Sequence, residues 1–258
     1  MIKPLYLLIF SIFINYNVLA FDHDYKIWNK ILIDNVKENS FSSSVNYSSI
    51  KSSPKQFNQF INTLESLNKS EFDSFSKKQK LAFLINAYNA FTVKLIVDNY
   101  PVKSIKDLGS FFSSPWKKRF FRLFGKKTYL DKIEHKMIRK WFNEPRIHFA
   151  VVCASIGCPA LKARAYTAEL LESQLQVSAN KFLKDLTRNR YNNKNKKLEL
   201  SAIFKWYGDD FKSKYGSFQK FIANKITDDK LLIQKIKNNE LSISYLDYNW
   251  NLNEYSKK

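Results

Sequence analysis

The chain has 258 residues, of which 45% are hydrophobic and 16% aromatic, and its formal net charge is +20 at pH 7. A chain of this length can bury one substantial core, and its aromatic content excludes an intrinsically disordered protein. The five glycines and six prolines argue against a fibrous or loop-rich chain, and no repeat of solenoid length recurs.

The first 20 residues are predicted to be a cleaved secretory signal peptide. Lys3 gives a positive start, an apolar run follows over residues 5–14, and the segment ends at Ala20. The run is about half as long as the roughly 20 residues that span a bilayer, and this layout is typical of a signal peptide. We therefore expect residues 21–258 to form one exported domain, periplasmic or extracellular. We expect no transmembrane span in the mature chain.

Helical patterns dominate the first half of the predicted domain. Residues 21–36 repeat apolar side chains at helical spacing, and a second helix is predicted over residues 54–67. The clearest helix begins at a capping box formed by Ser76 and Gln79 and ends before Pro101. Because it is apolar nearly all round, we expect it to be the central helix.

Residues 117–130 mix basic and aromatic side chains, and two structures would explain this pattern. An amphipathic helix would contact a membrane surface, whereas a turn at Gly125 and Lys126 would make a hairpin. We favour the hairpin. The residues that follow predict a helix that starts with an Asp131-x-x-Glu134 capping box.

The second half contains the best strand signal, which is "IHFAVVC" at residues 147–153. A long helix is predicted to begin at Thr167, with a short strand at 197–201, further helices, and a closing strand within 241–250. These elements predict an α+β fold. It would be a helix-rich single domain with a small sheet built from short strands distant in sequence.

Four pieces of the chain, in this order, resemble the domain of unknown function 547 family, which occurs in exported bacterial proteins and at the C-terminal end of some plant proteins. The pieces are "LINAYNA", "LDKIEH", "RIHFAVVCASIGCP" and "SYLDYNWNLN". The similarity covers about residues 45–250. It implies no activity, because the family is named for lacking one. The resemblance favours Cys153 over Cys158 as the recurrent cysteine, which weighs against an obligatory disulfide.

Cys153 is the candidate nucleophile, because it ends the predicted strand where side chains often emerge into a cleft. Gly157 in the following turn could expose backbone N–H groups to an oxyanion. His148 lies five residues before Cys153, on the opposite face of a strand. His135 is therefore the predicted base, and Glu134 and His148 remain further catalytic candidates.

Other interpretations of the cysteines stay open. Cys153 and Cys158 could form a disulfide in an oxidising compartment, or both could be inert and buried. Zinc could use His135, His148, Cys153 and Glu134, but no pair has the spacing of a metal site. We predict no metal and no cofactor.

Two functional hypotheses follow. The first is a thiol-dependent hydrolase or acyl transferase of the cell envelope. The alternative is a non-catalytic module that binds a peptide or an anionic envelope polymer, with Cys153 and Cys158 structural. Candidate binding residues are Asn86, Tyr88, Asn89 and Cys158. Nucleic acid is disfavoured, because export separates the protein from it and the lysines are spread along the chain.

Overall fold

The structure is a computed structural model that describes residues 20–110 and 113–255. The predicted signal peptide, apart from Ala20, lies outside the described residues. The protein is 53% helical and 12% strand. The predicted fold class, a helix-rich α+β domain with small sheets, is confirmed.

The regular elements are short except for one helix. The α-helices are α1 (Lys26–Asn35), α2 (Tyr47–Ser52), α3 (Lys55–Ser66), α4 (Lys69–Ser74), α5 (Lys77–Asn99), α6 (Arg139–Trp141), α7 (Leu171–Leu183), α8 (Ile203–Tyr207), α9 (Lys212–Tyr215), α10 (Phe218–Ile226) and α11 (Lys230–Lys237). The strands are β1 (Val36–Glu38), β2 (Ser43–Val45), β3 (Phe121–Leu123), β4 (Lys126–Thr128), β5 (Arg190–Asn192), β6 (Lys197–Ser201) and β7 (Ile243–Leu246). A π-helical segment (Lys132–Ile138) leads into α6, and 3₁₀ turns include Pro145–Phe149 and Gly208–Phe211.

Helix α5 is the central element, as predicted. Its capping box is formed: the Ser76 N–H donates to Gln79 Oε1 at 2.8 Å, and the Gln79 N–H donates to Ser76 Oγ at 3.2 Å. Helices α2 and α3 and the π-helical segment pack against it.

By length and composition alone, one helix in the described part of the chain could cross a membrane. Helix α5 is long and apolar enough to span one. However, 89% of its apolar window is buried inside the protein. Surrounding helices therefore cover the surface that lipid would otherwise contact, as in the core helix of a folded domain.

The sheets are small and separate. Strands β1 and β2 pair antiparallel, and so do β3 and β4, which form the predicted hairpin around Gly125. Strands β5, β6 and β7 form a third sheet, in which β6 pairs antiparallel with β5 and parallel with β7. The parallel pair joins strands that are distant in sequence, as the sequence predicted.

The predicted strand over residues 147–153 is wrong. Pro145–Phe149 is a 3₁₀ helix, and the N–H groups of Ala150 and Val151 both donate to Ile147 O at 2.9 Å. Pro145 favours this turn because its ring fixes φ at the first helical position. A short apolar run does not distinguish a buried strand from a buried helical turn by periodicity.

A buried arginine anchors the same turn. The side chain of Arg146 is 3% exposed and makes two hydrogen bonds to Glu144, at 2.6 and 2.7 Å, and two to Glu172, at 2.7 and 2.8 Å. Paired, two-pronged bonds of this kind fix orientation as well as position. They hold the turn that carries His148 against the start of α7.

Two hydrophobic cores meet at this part of the chain. Residues around α5 form the larger one, and Phe149 belongs to the smaller one, with Phe182, Phe204 and Phe221. Ile147 and residues 150–152 belong to the larger core. The segment that leads to Cys153 therefore runs along the boundary between the two cores.

Candidate thiol site in an aromatic cavity

A cavity of about 270 Å³ lies where residues of the two cores meet, and both cysteines line it. Six of its lining residues are aromatic: Tyr88, Trp116, Trp206, Tyr207, Tyr248 and Trp250. The ionisable side chains of its lining, besides the tyrosines and cysteines, are Asp131, Glu134 and His148. Within the described part of the chain, no lysine or arginine lines it.

Four of the aromatic residues form one continuous wall. The ring centroids of Tyr248 and Trp250 are 4.6 Å apart, and those of Tyr248 and Trp206 are 5.0 Å apart. Trp116 meets Trp250 edge to face at 5.7 Å. Such contacts stabilise ring positions beyond simple burial, so the wall is preformed.

The two cysteines are free, and their sulfurs lie 2.7 Å apart. The Cys153 N–H donates to Cys158 Sγ at 2.7 Å. Cys153 Sγ also lies 3.2 Å from the Tyr248 hydroxyl and 3.1 Å from Ser155 Oγ. The structure therefore holds a hydrogen-bonded dithiol at the wall of the cavity.

The surroundings separate the two thiols electrostatically. Burial acts to raise the pKa of Cys158, but hydrogen bonds from the Cys153 thiol, the Tyr248 hydroxyl and the backbone N–H groups of Cys153 and Ser155 outweigh it and lower that pKa. Burial and then the neighbouring Cys158 raise the pKa of Cys153 well above its usual value. The surroundings therefore favour the charged form of Cys158 over that of Cys153.

The sulfur that more easily carries negative charge is not the sulfur that is more exposed to solvent. Cys158 carries the negative charge when the pair loses a proton, yet it is only 4% exposed. Cys153 is the more exposed of the two. Because the sulfurs are within hydrogen-bonding distance, a proton shift from Cys153 to Cys158 would move the charge to the accessible sulfur.

The amides of α5 position the loop rather than face the cavity. Asn89 Nδ2 donates to Ala150 O at 2.9 Å, and the Val152 N–H donates to Asn89 Oδ1 at 3.0 Å. Asn86 makes the same pair of bonds to the backbone of Tyr166, at 2.7 and 3.0 Å. Of the candidate binding residues in α5, the cavity is lined only by Tyr88.

The closing segment of the chain holds the other side of the cysteine loop. The Ile156 N–H donates to Asn251 O, and the Gly157 N–H donates to Asn249 O, both at 2.8 Å. The Cys158 N–H donates to Ser155 O at 3.0 Å. The prediction that the turn at Gly157 would offer N–H groups to an oxyanion is therefore wrong, because these groups already bind carbonyls.

Gly157 has a steric role instead. A Cβ at this position would lie 3.0 Å from Asn249 N and O and from Tyr248 Cδ1. A glycine lets the two backbones approach this closely. The approach places Tyr248 beside the sulfurs.

One ring nitrogen of His148 is hydrogen-bonded, and the other has no hydrogen-bond partner. Its Nε2 lies 2.7 Å from Asp210 Oδ2, and its ring stacks on Tyr207 with centroids 4.0 Å apart. Burial acts to raise the pKa of Asp210, but hydrogen bonds from His148 and Arg139 outweigh it and hold the pKa well below its usual value. Asp210 is thus a carboxylate that accepts the His148 Nε2–H. The buried Nδ1 has no hydrogen-bond partner.

His135 is placed differently. Its Nδ1 lies 2.9 Å from Arg139 Nη1, and a guanidinium can only donate, so the lone pair of that nitrogen is occupied. Its Nε2 is 3.8 Å from Asp131 Oδ1. His135 is not among the described residues that line the cavity. The imidazole that shares the cavity with Cys153 belongs to His148.

Glu134 points into the cavity and does not cap a helix. Asp131 makes no side-chain cap hydrogen bond and has helical backbone angles, so the predicted capping box is wrong. The segment is π-helical, a geometry often found at functional sites. Glu134 is buried, and the burial of Tyr207 together with the charge of the nearby Glu134 carboxylate raises the pKa of Tyr207.

Residues 72–183 match the family model described as "Protein of unknown function, DUF547". They form a DUF547 domain. The matched range is narrower than the 45–250 predicted from the resemblance. It includes three of the four pieces on which that resemblance rested. No curated protein and no solved structure showed significant similarity to the chain.

Several residues of the site lie outside the matched DUF547 range or were missed in the sequence. Asp210, Trp206, Tyr207, Tyr248 and Trp250 follow residue 183, so the cavity is built jointly by the DUF547 domain and the C-terminal part of the chain. The three-residue spacing of Tyr207 and Asp210, both of which contact His148, was an available but weak signal. No group of three or more His, Cys, Asp or Glu in the described residues could hold a metal ion.

Replacing Asn89 in the DUF547 domain tests how the loop is held. Asn89→Leu keeps the volume but leaves Ala150 O and Val152 N–H buried without partners, so we expect a loss of about 2–5 kcal/mol in the free energy of unfolding. Urea denaturation measures it. Asn99→Leu, which removes one bond to Leu95 O at the end of α5, is the matched control. Equal losses in the two variants would contradict the proposed role of Asn89.

The depressed pKa of Asp210 predicts a pH-dependent contribution to stability. The stabilisation is fully present above the unfolded-state pKa near 3.9 and is lost as pH falls through the lower folded-state value. We expect Asp210→Asn to cost about 2–4 kcal/mol at pH 7. The difference in the free energy of unfolding between Asp210→Asn and the wild type should decrease below about pH 4. Chemical denaturation at a series of pH values measures this difference. Asp209→Asn, at the exposed neighbouring position, is the control. A gap that does not change with pH would refute the assignment.

Proposed function

We propose that this protein is an exported thiol-dependent hydrolase or acyl transferase in which Cys153 is the nucleophile. The observation that supports this proposal most directly is that Cys153, Cys158 and His148 line one cavity. His148 is oriented by Asp210 in the manner of a base held by a carboxylate. We give the role of base to His148 instead of His135, because the open nitrogen of His148 is the one available.

The first step would be acylation. The Cys153 thiol passes its proton to the Cys158 thiolate across 2.7 Å, and the Cys153 sulfur attacks the carbonyl carbon of the substrate. The bond from that carbon to its leaving group breaks, and the leaving group takes the proton from Cys158. A thioester on Cys153 and a free amine or alcohol result, and Cys158 is again a thiolate.

The second step would be deacylation. A water or an acceptor hydroxyl attacks the thioester and gives its proton to Nδ1 of His148, while Asp210 stabilises the imidazolium that forms. The carbon–sulfur bond breaks, and the Cys153 sulfur takes the proton from His148. The products are the free acid or the transferred acyl group, and the site returns to its starting state.

An activated ester tests the two steps separately. With p-nitrophenyl acetate, we expect a burst of one equivalent of p-nitrophenol followed by slower turnover. Cys153→Ser should abolish the burst. His148→Asn should keep the burst and slow the turnover about 100-fold, because His148 acts in deacylation.

His135→Asn is the control, since His135 lies outside the cavity lining. We expect it to keep both the burst and the turnover. A burst that survives in Cys153→Ser would end the thiol proposal. Unchanged turnover in His148→Asn, or lost turnover in His135→Asn, would move the base away from His148.

A second candidate function is the binding of an anionic envelope polymer by the hairpin β3–β4 and the residues before it. Its basic side chains form an exposed ridge: Lys117, Lys118, Arg119, Arg122, Lys126 and Lys127. Opposite charge on a polymer would be attracted to such a ridge, and salt would screen the attraction.

Reversing two charges tests the ridge. We expect Lys126→Glu/Lys127→Glu to weaken binding to polyglutamate about ten-fold at low salt, measured by fluorescence anisotropy. Lys194→Glu/Lys197→Glu, at exposed positions away from the hairpin, changes net charge equally and is the control. The candidate fails when both double variants weaken binding alike or when salt has no effect.

A further inference from the structure

The cavity has the opposite charge to the rest of the protein. The chain carries 43 lysines and arginines against 23 acidic residues. In the described part of the chain, the cavity is nevertheless lined by Asp131 and Glu134 and by no lysine or arginine. A negative cavity in a strongly basic protein focuses potential that attracts a cation.

The aromatic wall suits the same kind of ligand. Aromatic faces attract cations through the ring quadrupole, most strongly for tryptophan. Two rings of the lining already bind cations that are not part of the lining. Lys106 Nζ lies 5.0 Å from the Trp250 ring centroid, and Arg139 Cζ lies 5.2 Å from the Tyr207 ring centroid. Trp206 is 44% exposed, so a face of the wall remains open to a ligand.

Three groups of the cavity lining are hydrogen-bond acceptors that carry negative charge or a free lone pair. The carboxylates of Asp131 and Glu134 accept hydrogen bonds, and so does the open Nδ1 of His148, which is buried, without a partner, and on a side chain 1% exposed. The Nε2 of that ring binds Asp210, which is outside the cavity lining. Nδ1 is therefore the ring nitrogen of His148 that is left without a partner.

A primary ammonium group matches this set, because it carries three donors and no acceptor. A sugar ring would also stack on tryptophan, but its hydroxyls need donors as well as acceptors. The tyrosine hydroxyls, the tryptophan Nε1–H groups and the thiols of the lining could supply such donors, but a neutral sugar would gain nothing from the charge of the two carboxylates. Neighbouring cations neutralise Asp131 and Glu134 only in part. Lys117 and His135 interact with Asp131, but Arg139 makes hydrogen bonds of 2.6 and 2.7 Å to Asp210 instead.

We propose that the cavity recognises a primary ammonium group, held against the tryptophan wall by Glu134 and Asp131. This inference rests on the proposed thiol chemistry for its biological meaning. It narrows the substrates to acyl compounds that carry a free amine, such as amino-acyl derivatives or peptides with an amine close to the reacting carbonyl. The cavity, at about 270 Å³, would hold one such group and not a long chain.

Binding in the Cys153→Ser variant tests recognition without thiol chemistry. The probes are n-butylammonium, the neutral n-butanol, the anionic butyrate, and methyl β-glucoside for the sugar alternative. Tryptophan fluorescence reports binding, because Trp116, Trp206 and Trp250 line the cavity. We expect n-butylammonium to bind at least about ten-fold more tightly than the other three.

Glu134→Gln removes one charge without changing shape and should weaken n-butylammonium binding about ten-fold. Asp98→Asn, on the exposed end of α5 beside Lys94, is the matched control and should leave the Kd unchanged. Equal affinity for n-butanol or the glucoside, no saturation below about 100 mM, or an unchanged Kd in Glu134→Gln would overturn the inference.

The two proposals fail in different ways. A burst with p-nitrophenyl acetate and no preference for n-butylammonium would keep the thiol chemistry and remove the ammonium site. Selective ammonium binding in a protein whose wild-type form shows no burst would keep the site and leave a binding protein in place of an enzyme.

Discussion

The site depends on burying an irregular stretch of backbone between two cores. Residues 150–158 belong neither to a helix nor to a strand of a sheet, and most of them are buried. Buried N–H and C=O groups must find partners, since each one left alone costs about 1–3 kcal/mol. Here Asn89 binds the start of the stretch, and the closing segment 249–253 binds its end. The cysteines are held where two distant parts of the chain meet.

This way of holding the backbone also sets the electrostatics of the sulfurs. Ala154 has φ 57°, a left-handed conformation that costs energy for a residue with a side chain, and it lies between Cys153 and the turn. The loop turns back at this point, and the N–H of Cys153 is directed at the sulfur of Cys158. The Cys158 thiolate therefore gains donors from the Cys153 thiol, the Tyr248 hydroxyl and the backbone. Neither charged side chains nor a helix N-terminus is needed to lower the pKa of Cys158.

The parts of the fold that were predictable depend on local rules. The capping box of α5 and the hairpin at Gly125 follow from side chains a few residues apart, and both were predicted. The strand at 147–153 was predicted wrongly, because β-branched apolar residues also suit a buried turn after a proline. That error reversed the roles of the histidines: on a strand His148 faces away from Cys153, whereas after a 3₁₀ turn both line one cavity. Arg139 and Asp210 could not be paired from sequence, because 71 positions separate them.

The balance of charges around Asp210 decides what the cavity can do. Arg139 interacts with both Glu134 and Asp210, but its hydrogen bonds go to Asp210 and to His135. If the guanidinium turned to Glu134 instead, the cavity would lose the negative charge of Glu134. Asp210, which binds His148, would then lose the cation that neutralises it. Asp210 thus does two things through one side chain: it orients His148, and it keeps Arg139 away from Glu134. The base and the acidic face of the cavity are therefore coupled through a residue outside the cavity lining.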